Sequence, residues 1–157
     1  MAIEIGLEAK DRTAIGKILN RLLADETVLL IKTKNYHWNV VGPNFEELHK
    51  FFDGQYEKLA EFVDEVAERA RSLGEKTTGT MTEYLQLATI KEIPGDFPAA
   101  KKMLDNLRKD HEQAIRNLRK DLQDCAEKFH DAGTGDFLTG LMEEHEKMAW
   151  MLRSYQE

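Results

Sequence analysis

Five side chains of types that bind metal ions decide the interpretation of this sequence: His37, His49, Asp53, Asp64 and Glu68. The last four stand at relative positions 0, 4, 15 and 19 of one uninterrupted amphipathic stretch. At about 100° per residue in a helix, they fall within an arc of roughly 100° on a single face. That face should otherwise be apolar, so a row of imidazole and carboxylate groups along it indicates a metal site.

The spacing of these residues excludes a site built by one straight helix. The pair His49 and Asp53 and the pair Asp64 and Glu68 are centred about 15 residues, or roughly 22 Å, apart. Ligands of one ion must lie about 2.0–2.2 Å from it. A second copy of the helix, running antiparallel, would bring its own two acids opposite the first copy's histidine and aspartate. The spacing therefore predicts a site shared between subunits and repeated about a dyad near Lys58.

The ligand types narrow the choice of metal. Two imidazoles and three carboxylates without a thiolate favour iron, manganese or zinc over copper(I), and they suit a cation that changes oxidation state. Asp53 follows Phe51-Phe52 and Asp64 follows Phe62-Val63. Burying a carboxylate beside such apolar residues is costly unless it is paired or metal-bound. From the pattern alone, ordinary solvated acids on an amphipathic helix stay open as the alternative.

The composition is typical of a helical protein without a basic surface. The chain has 157 residues, 32% of them charged, and a net charge of −7. One domain over residues 1–157 is expected, and a general nucleic-acid surface is not, because phosphate contacts need Lys and Arg. With Cys125 as the only cysteine, a reducing cytoplasm is expected. No apolar run approaches the ~20 residues of a membrane span, and no signal peptide is recognisable.

Two long helices are predicted in the first half of the chain. Apolar residues recurring at three- and four-residue steps predict a helix from Lys10 to Trp38, which Gly42-Pro43 ends. Asn44 followed by Glu47 is typical of a capping box and predicts the start of a second helix. Gly74 is the predicted end of that helix.

The second half adds two long helices after an extended connection. Residues 75–97 form this connection, in which 83–87 predict a short helix. Pro98 is expected in the first turn of the third long helix, and Gly133-Thr-Gly-Asp136 is expected to separate that helix from the last one. Two helix pairs joined by a long crossover predict an all-α, ferritin-like four-helix bundle with a short helix in the central crossover.

The residues around the candidate ligands resemble the signature of a known family. Lys32 to Asp53 read KTKNYHWNVVGPNFEELHKFFD, and they are followed by Tyr56-x-x-Leu59-x-x-x-x-Asp64-x-x-Ala-Glu68-Arg69. Both runs are similar to those of the Dps proteins, the miniferritins. The resemblance covers essentially the whole chain, including the short helix in the crossover.

This resemblance implies a cytoplasmic, dodecameric hollow shell with ferroxidase centres at its twofold interfaces. Each centre would take His37, His49 and Asp53 from one subunit and Asp64 and Glu68 from its partner. Family members oxidise Fe(II), preferentially with hydrogen peroxide, and store ferric oxyhydroxide in the shell, which protects against oxidative damage. We therefore expect an iron-storing ferroxidase, in which zinc or manganese could occupy the same ligands.

Four further residues are expected to have roles outside the five candidate ligands. Trp38 is oxidisable and adjoins His37, so it could quench one-electron leakage from the centre. The family's acidic pores on threefold axes place Glu127, Asp131 and Asp136 where iron would be taken up. Ordinary solvated acids at helix ends are the alternative, and an N-cap of the last helix is a further one for Asp136.

Three other functions compete with this prediction. Glu46-x-x-His49 and Glu127-x-x-His130 would suit a ferritin or bacterioferritin site inside one bundle. A DNA-compacting shell with little ferroxidase activity is a second possibility, although only Lys10 and Arg12 precede Ile15, so weak or no DNA binding is expected. A shell that sequesters zinc or manganese through the same ligands is the third.

Two further histidines and the single cysteine are expected to have structural roles. His111 lies on an apolar stripe and is expected in the core or in an interhelix hydrogen bond. His145, within Glu143-Glu-His-Glu146, is expected at an interface or on the surface, with a secondary metal site as the alternative. Cys125 is expected to be a small buried hydrophobe.

Overall fold

The computed structural model describes residues 3–156 and is built there from helices and their connections, without a strand. The four long helices are α1 (Ala9–Asn39), α2 (Phe45–Ser72), α4 (Ala100–Gln123) and α5 (Ala132–Ser154). A short helix, α3 (Met81–Leu87), lies in the connection between α2 and α4, and a π-helical turn (Asp124–Lys128) continues α4. α1 packs along α2, and α4 packs along α5. The predicted all-α four-helix bundle with a short helix in its crossover is confirmed.

The core runs along the bundle axis and contains side chains from all four long helices. Leu19 of α1, Phe52 and Phe62 of α2, Leu107 of α4 and Leu138 of α5 are at most 2% exposed. Burying one such side chain stabilises the fold by about 1.5–3 kcal/mol. No helix within residues 3–156 has the length and apolar character needed to cross a membrane.

Polar side chains of α1 fix the crossover to the bundle. The buried carboxylate of Asp25 accepts hydrogen bonds from the backbone N–H groups of Thr89 (2.6 Å) and Ile90 (3.0 Å). One and a half turns earlier, Asn20 accepts the backbone N–H of Thr78 at 2.7 Å. A buried carboxylate that receives several N–H groups is satisfied without water. The crossover is therefore anchored to α1 on both sides of α3.

The capping interactions differ from those predicted. Asn44 occupies the N-cap position of α2 but makes no capping hydrogen bond with its side chain. The capping box belongs to α3, where Thr80 accepts the backbone N–H of Glu83 and the Glu83 carboxylate accepts that of Thr80 at 3.2 Å. Pro98 precedes α4 instead of lying in its first turn, since that helix begins at Ala100.

The predicted boundary before the last helix is wrong. Gly133-Thr-Gly-Asp136 forms the first turns of α5, and the N-cap is Asp131, whose side chain accepts the backbone N–H of Thr134 at 3.0 Å. The π-helical turn and the left-handed backbone of His130 (φ 55°) reverse the chain early enough for this cap. Gly135 is needed for close packing, because a Cβ there would lie 3.1 Å from the Ala126 side chain.

Candidate metal centre

Two histidines from different helices are held together where α1 ends and α2 begins. His37 Nδ1 lies 2.8 Å from the backbone oxygen of His49, and His49 Nδ1 lies 2.8 Å from the backbone oxygen of His37. The two rings stack with centroids 3.8 Å apart and an interplanar angle of 18°. A carbonyl oxygen can only accept, so both Nδ1 atoms carry the hydrogen. In the neutral form of each ring, Nε2 then keeps its lone pair, the form in which imidazole binds a metal.

Aromatic side chains border this histidine pair. Phe45, the first residue of α2, stacks on the His49 ring at 5.2 Å between centroids. Tyr56 meets the His37 ring edge-on, with centroids 5.2 Å apart and an angle of 77°. The backbone N–H of Val40 donates a hydrogen bond to the backbone oxygen of Tyr36 at the end of α1. This bond fixes the polypeptide directly after His37. The two imidazoles are thus held by backbone and by ring packing together.

Asp53 follows His49 by one turn of α2 and is half-buried. Its carboxylate raises the pKa of the neighbouring Tyr56 phenol. Tyr56 therefore contacts both His37 and Asp53, a role that the sequence analysis missed. Its spacing was the available signal, because Tyr56 stands three residues after Asp53 and seven after His49, on the same face of the helix.

Asp64 and Glu68 are exposed farther along α2. In the described part of one chain, no three or more His, Cys, Asp or Glu residues are arranged to hold a metal ion. The structure thus groups His37, His49 and Asp53 at one end of α2 and leaves the two acids near the other. We call the first group the histidine half of the candidate centre and the second group the acidic half.

The remaining predicted site residues have different surroundings. Trp38 is 66% exposed, beside the histidine half. Glu127, in the π-helical turn, and Asp136, in α5, are exposed acids. Asp131 is 5% exposed, and its two oxygens accept hydrogen bonds from Arg69 of α2 at 3.2 Å each. Burial alone would raise the pKa of Asp131, but hydrogen bonds from Thr134 and the charge of Arg69 lower it. This acid joins α5 to α2 as well as capping α5.

The Glu-x-x-His motifs do not meet inside the bundle. Glu46 is an exposed partner of Lys50, at 2.7 Å, and Glu127 and His130 are both exposed near the end of the bundle. The centre of the bundle instead contains His111 and His145, both 0% exposed and hydrogen-bonded to each other. The expectation for His111 is confirmed.

The expectation that His145 is a surface or interface residue is wrong, because the residue faces the bundle axis despite its acidic neighbours in sequence. Cys125 is buried as predicted, and burial raises the pKa of its thiol to about 12. A thiol with so high a pKa stays protonated near neutral pH, which makes it a poor metal ligand.

Comparison with known proteins gives consistent results over most of the chain. The ferritin-like domain family matches residues 16–157. The chain is 54% identical over 155 residues to an uncharacterized low temperature-induced protein of Nostoc sp. (strain PCC 7120), covering 99% of this chain and 87% of that one. It is 39% identical over 140 residues to DNA protection during starvation protein 2 of Bacillus anthracis, covering 88% and 94%.

A solved structure extends this similarity to three dimensions. The crystal structure of the Dps protein of Vibrio cholerae O1, described as a member of a broad superfamily of ferritin-like diiron-carboxylate proteins, matches with a TM-score of 0.92 at 30% identity. The match covers 100% of this chain and 98% of that one.

Proposed function

Because this chain belongs to the ferritin-like family as one of its Dps proteins, we propose that it is an iron-storing ferroxidase that removes Fe(II) and hydrogen peroxide together. The main support is the reciprocal pair of hydrogen bonds between His37 and His49, 2.8 Å each, which leaves both Nε2 atoms free to bind a metal. Nitrogen and carboxylate donors without a thiolate suit iron in both of its oxidation states.

The complete centre is proposed to form between two subunits. The histidine half of one copy would face the acidic half, Asp64 and Glu68, of an antiparallel copy about a dyad near Lys58. The arrangement is supported by the exposure of both acids in the single chain, where a second copy could reach them. Met81 (63% exposed) and Leu85 (55% exposed) of α3 are also apolar residues suited to contact with another copy. By family resemblance, six such pairs would assemble into a dodecameric shell.

The proposed reaction balances with hydrogen peroxide as the oxidant. Two Fe(II) substrate ions each give up one electron, and the peroxide takes both electrons and two protons to become two water molecules. Carboxylates of both halves stabilise the additional charge of Fe(III), whose hydrolysis then releases protons and deposits oxyhydroxide in the shell. Because both electrons reach one peroxide, hydroxyl radical is not released. Trp38 would intercept a single-electron leak.

Uptake of Fe(II) is proposed through acidic pores near the π-helical turn. Glu127 and Asp136 are exposed there and can attract a cation. Asp131 would support the same region through its bonds to Arg69 and Thr134 more than by binding iron. The family and the single cysteine fit a cytoplasmic protein, and zinc or manganese could compete for the same ligands.

DNA compaction is not favoured by the basic residues near the N-terminus. Lys10 pairs with Glu8 at 2.8 Å, and Arg12 donates to the backbone oxygen of Leu7 at 2.7 Å. With a net charge of −7 per chain, the protein would repel phosphates at long range. A gel shift with long duplex DNA at physiological salt is expected to show no retention, and tight retention would contradict this.

The test of the proposed function is anaerobic loading with Fe(II), followed by substoichiometric hydrogen peroxide. We expect rapid growth of ferric absorbance and iron that co-elutes with a large shell. Slow oxidation with precipitated ferric hydroxide would contradict the proposal. Iron that binds without being oxidised would instead indicate a metal-sequestering shell.

A further inference from the structure

Three buried titratable residues form a line across the centre of the bundle, away from the candidate metal centre. Glu26 of α1, His145 of α5 and His111 of α4 are 1%, 0% and 0% exposed. His145 Nε2 lies 2.9 Å from Glu26 Oε1, and His145 Nδ1 lies 2.9 Å from His111 Nδ1. We call these three residues the central polar chain.

The contacts of the central polar chain run end to end and do not converge. Glu26 and His111 meet opposite nitrogens of the same His145 ring, so their donor atoms cannot surround one ion. This geometry distinguishes the central polar chain from a metal site. At its two ends, Glu26 Oε2 and His111 Nε2 are buried and have no hydrogen-bond partner among the described residues. A buried polar atom without a hydrogen-bond partner lowers the stability of the fold, so both atoms need a physical explanation.

The contact between the two imidazoles depends on protonation. Two Nδ1 atoms at 2.9 Å can form a hydrogen bond only while one of them carries a proton and the other is bare. When both rings are fully protonated, two N–H groups and two positive charges face each other, and the bond is lost. The bond is lost on full protonation whichever of the two histidines is the donor.

Among residues 3–156, the hydrogen bonds and ring contacts of His111 and His145 include one acid, Glu26. Among the four packed helices, α1 contributes the carboxylate of Glu26, α4 contributes His111 and α5 contributes His145. α2 contributes an apolar ring, Phe62, whose centroid lies 5.4 Å from that of His145. Burial, and then the charge of His145, lower the pKa of His111 well below its ordinary value.

We propose that the central polar chain is an acid-sensitive latch, which joins α1, α4 and α5 while one imidazole is neutral and opens when both are protonated. The latch goes beyond the proposed iron chemistry and does not rest on it. The sign of the effect follows from linkage. His111 stays neutral in the folded subunit below about pH 6.5, where an unfolded chain would bind the proton. The stability is therefore present above that pH and is lost as the pH falls.

The test compares unfolding of the wild type and of His111→Asn in guanidinium between pH 8 and pH 5, at one protein concentration. Asparagine keeps an amide N–H donor at the same number of bonds from Cα as Nδ1, but it does not titrate. The unfolding constant of the wild type should rise about tenfold more per pH unit below about 6.5 than that of the variant, for one linked proton. His130→Asn removes an exposed imidazole at a left-handed position that Asn tolerates and should keep the wild-type profile.

A second measurement keeps the proposal testable should His111→Asn not fold. Native-state hydrogen exchange of the wild type, corrected for intrinsic rates, should show α4 and α5 losing protection around His111 and His145 as the pH falls from 7 to 5. Identical pH profiles for wild type and His111→Asn, or unchanged protection around both histidines, would overturn the latch. Iron oxidation at pH 7 is a separate readout, and its outcome does not bear on the latch.

Discussion

The histidine half and the acidic half of the candidate centre are held by the fold in opposite ways. His37 and His49 are locked by two reciprocal hydrogen bonds to backbone oxygens and by ring stacking, before any metal is considered. Asp64 and Glu68 are exposed on the surface of α2. A preorganised half binds a metal without an ordering cost, whereas an exposed half acquires its geometry only when a partner surface covers it.

The difference between the two halves indicates where the specificity of the proposed centre would reside. Under the proposed function, the histidine half with its fixed tautomers would be the first position for a metal ion within a single chain. The acidic half of a partner subunit would then complete the proposed oxidation site on assembly. Iron binding and iron oxidation should therefore respond differently to changes in the two halves.

The largest effect is expected from His49→Ala. The variant removes one proposed nitrogen ligand and also the ring that stacks on His37, although the backbone oxygen of residue 49 can still accept the His37 Nδ1–H. The initial rate of ferric absorbance should fall by more than about 100-fold, beyond the range typical of outer-shell changes. Circular dichroism should show the helical fold retained. A variant that keeps more than a tenth of the rate would show that the histidine half is not the metal site.

A smaller but strong effect is expected from Glu68→Gln. The variant keeps the size of an exposed side chain and removes the carboxylate charge but keeps a carbonyl oxygen. Subunit folding should therefore be unchanged, while oxidation slows by at least about tenfold, the low end of outer-shell effects. Glu65→Gln, an exposed neighbour on α2, is the matched control and should oxidise iron at the wild-type rate. Equal losses of oxidation rate in the two variants would show that the effect comes from general surface charge and not from a ligand at Glu68.

Tyr56→Phe tests the contribution of a phenol hydroxyl that borders the histidine half. The phenol adjoins Asp53, and its ring packs against His37, so the variant keeps the packing and removes only the hydroxyl. Oxidation should slow by at most about tenfold, the low end of outer-shell effects. Stopped-flow measurement of the initial rate checks this, and a loss as large as that of His49→Ala would contradict it.

Asp131→Asn should leave both halves of the candidate centre unaffected and lower the stability of the subunit. Asparagine can still cap α5, so the variant mainly loses the charge that pairs with Arg69, which should cost about 1–2 kcal/mol near pH 7. Since the pKa of Asp131 is lowered in the fold, this contribution is present above about pH 3.9, the ordinary value, and is lost as the pH falls below it. Denaturant unfolding checks the cost. Asp136→Asn, at an exposed acid, should change stability by no more than about 0.5 kcal/mol.

The sequence predicted the helices well because their signals are local. Periodicity and glycine-proline punctuation placed α1 and α2 within two residues of their observed ends. The start of α5 could not be predicted in this way, since it depends on a π-helical turn and a left-handed His130. The glycines of that segment suggest a loop, whereas the structure uses Gly135 for close packing of two helices.

The candidate site was only partly predictable for a similar reason. Ligand types and spacing indicated the five candidate residues, but the reciprocal bonding of His37 and His49 depends on the shape of the connection between α1 and α2. The buried position of His145 was missed because its neighbours are acidic. Leu141 and Met148, four residues before it and three after, were the signal that it faces the core. Nothing local marked Glu26 as its partner.

The most direct test of the shared centre is complementation in mixed shells made from His49→Ala and Glu68→Ala subunits. In a mixed pair, one site combines an intact histidine half with an intact acidic half, so random mixing should restore about a quarter of the wild-type sites. The double variant His49→Ala/Glu68→Ala mixed with wild type is the control, since only pairs of wild-type subunits would then be active. We predict that the mixed shells oxidise Fe(II) far faster than either parent. Mixed shells no faster than the average of the two parents would contradict a centre shared between subunits.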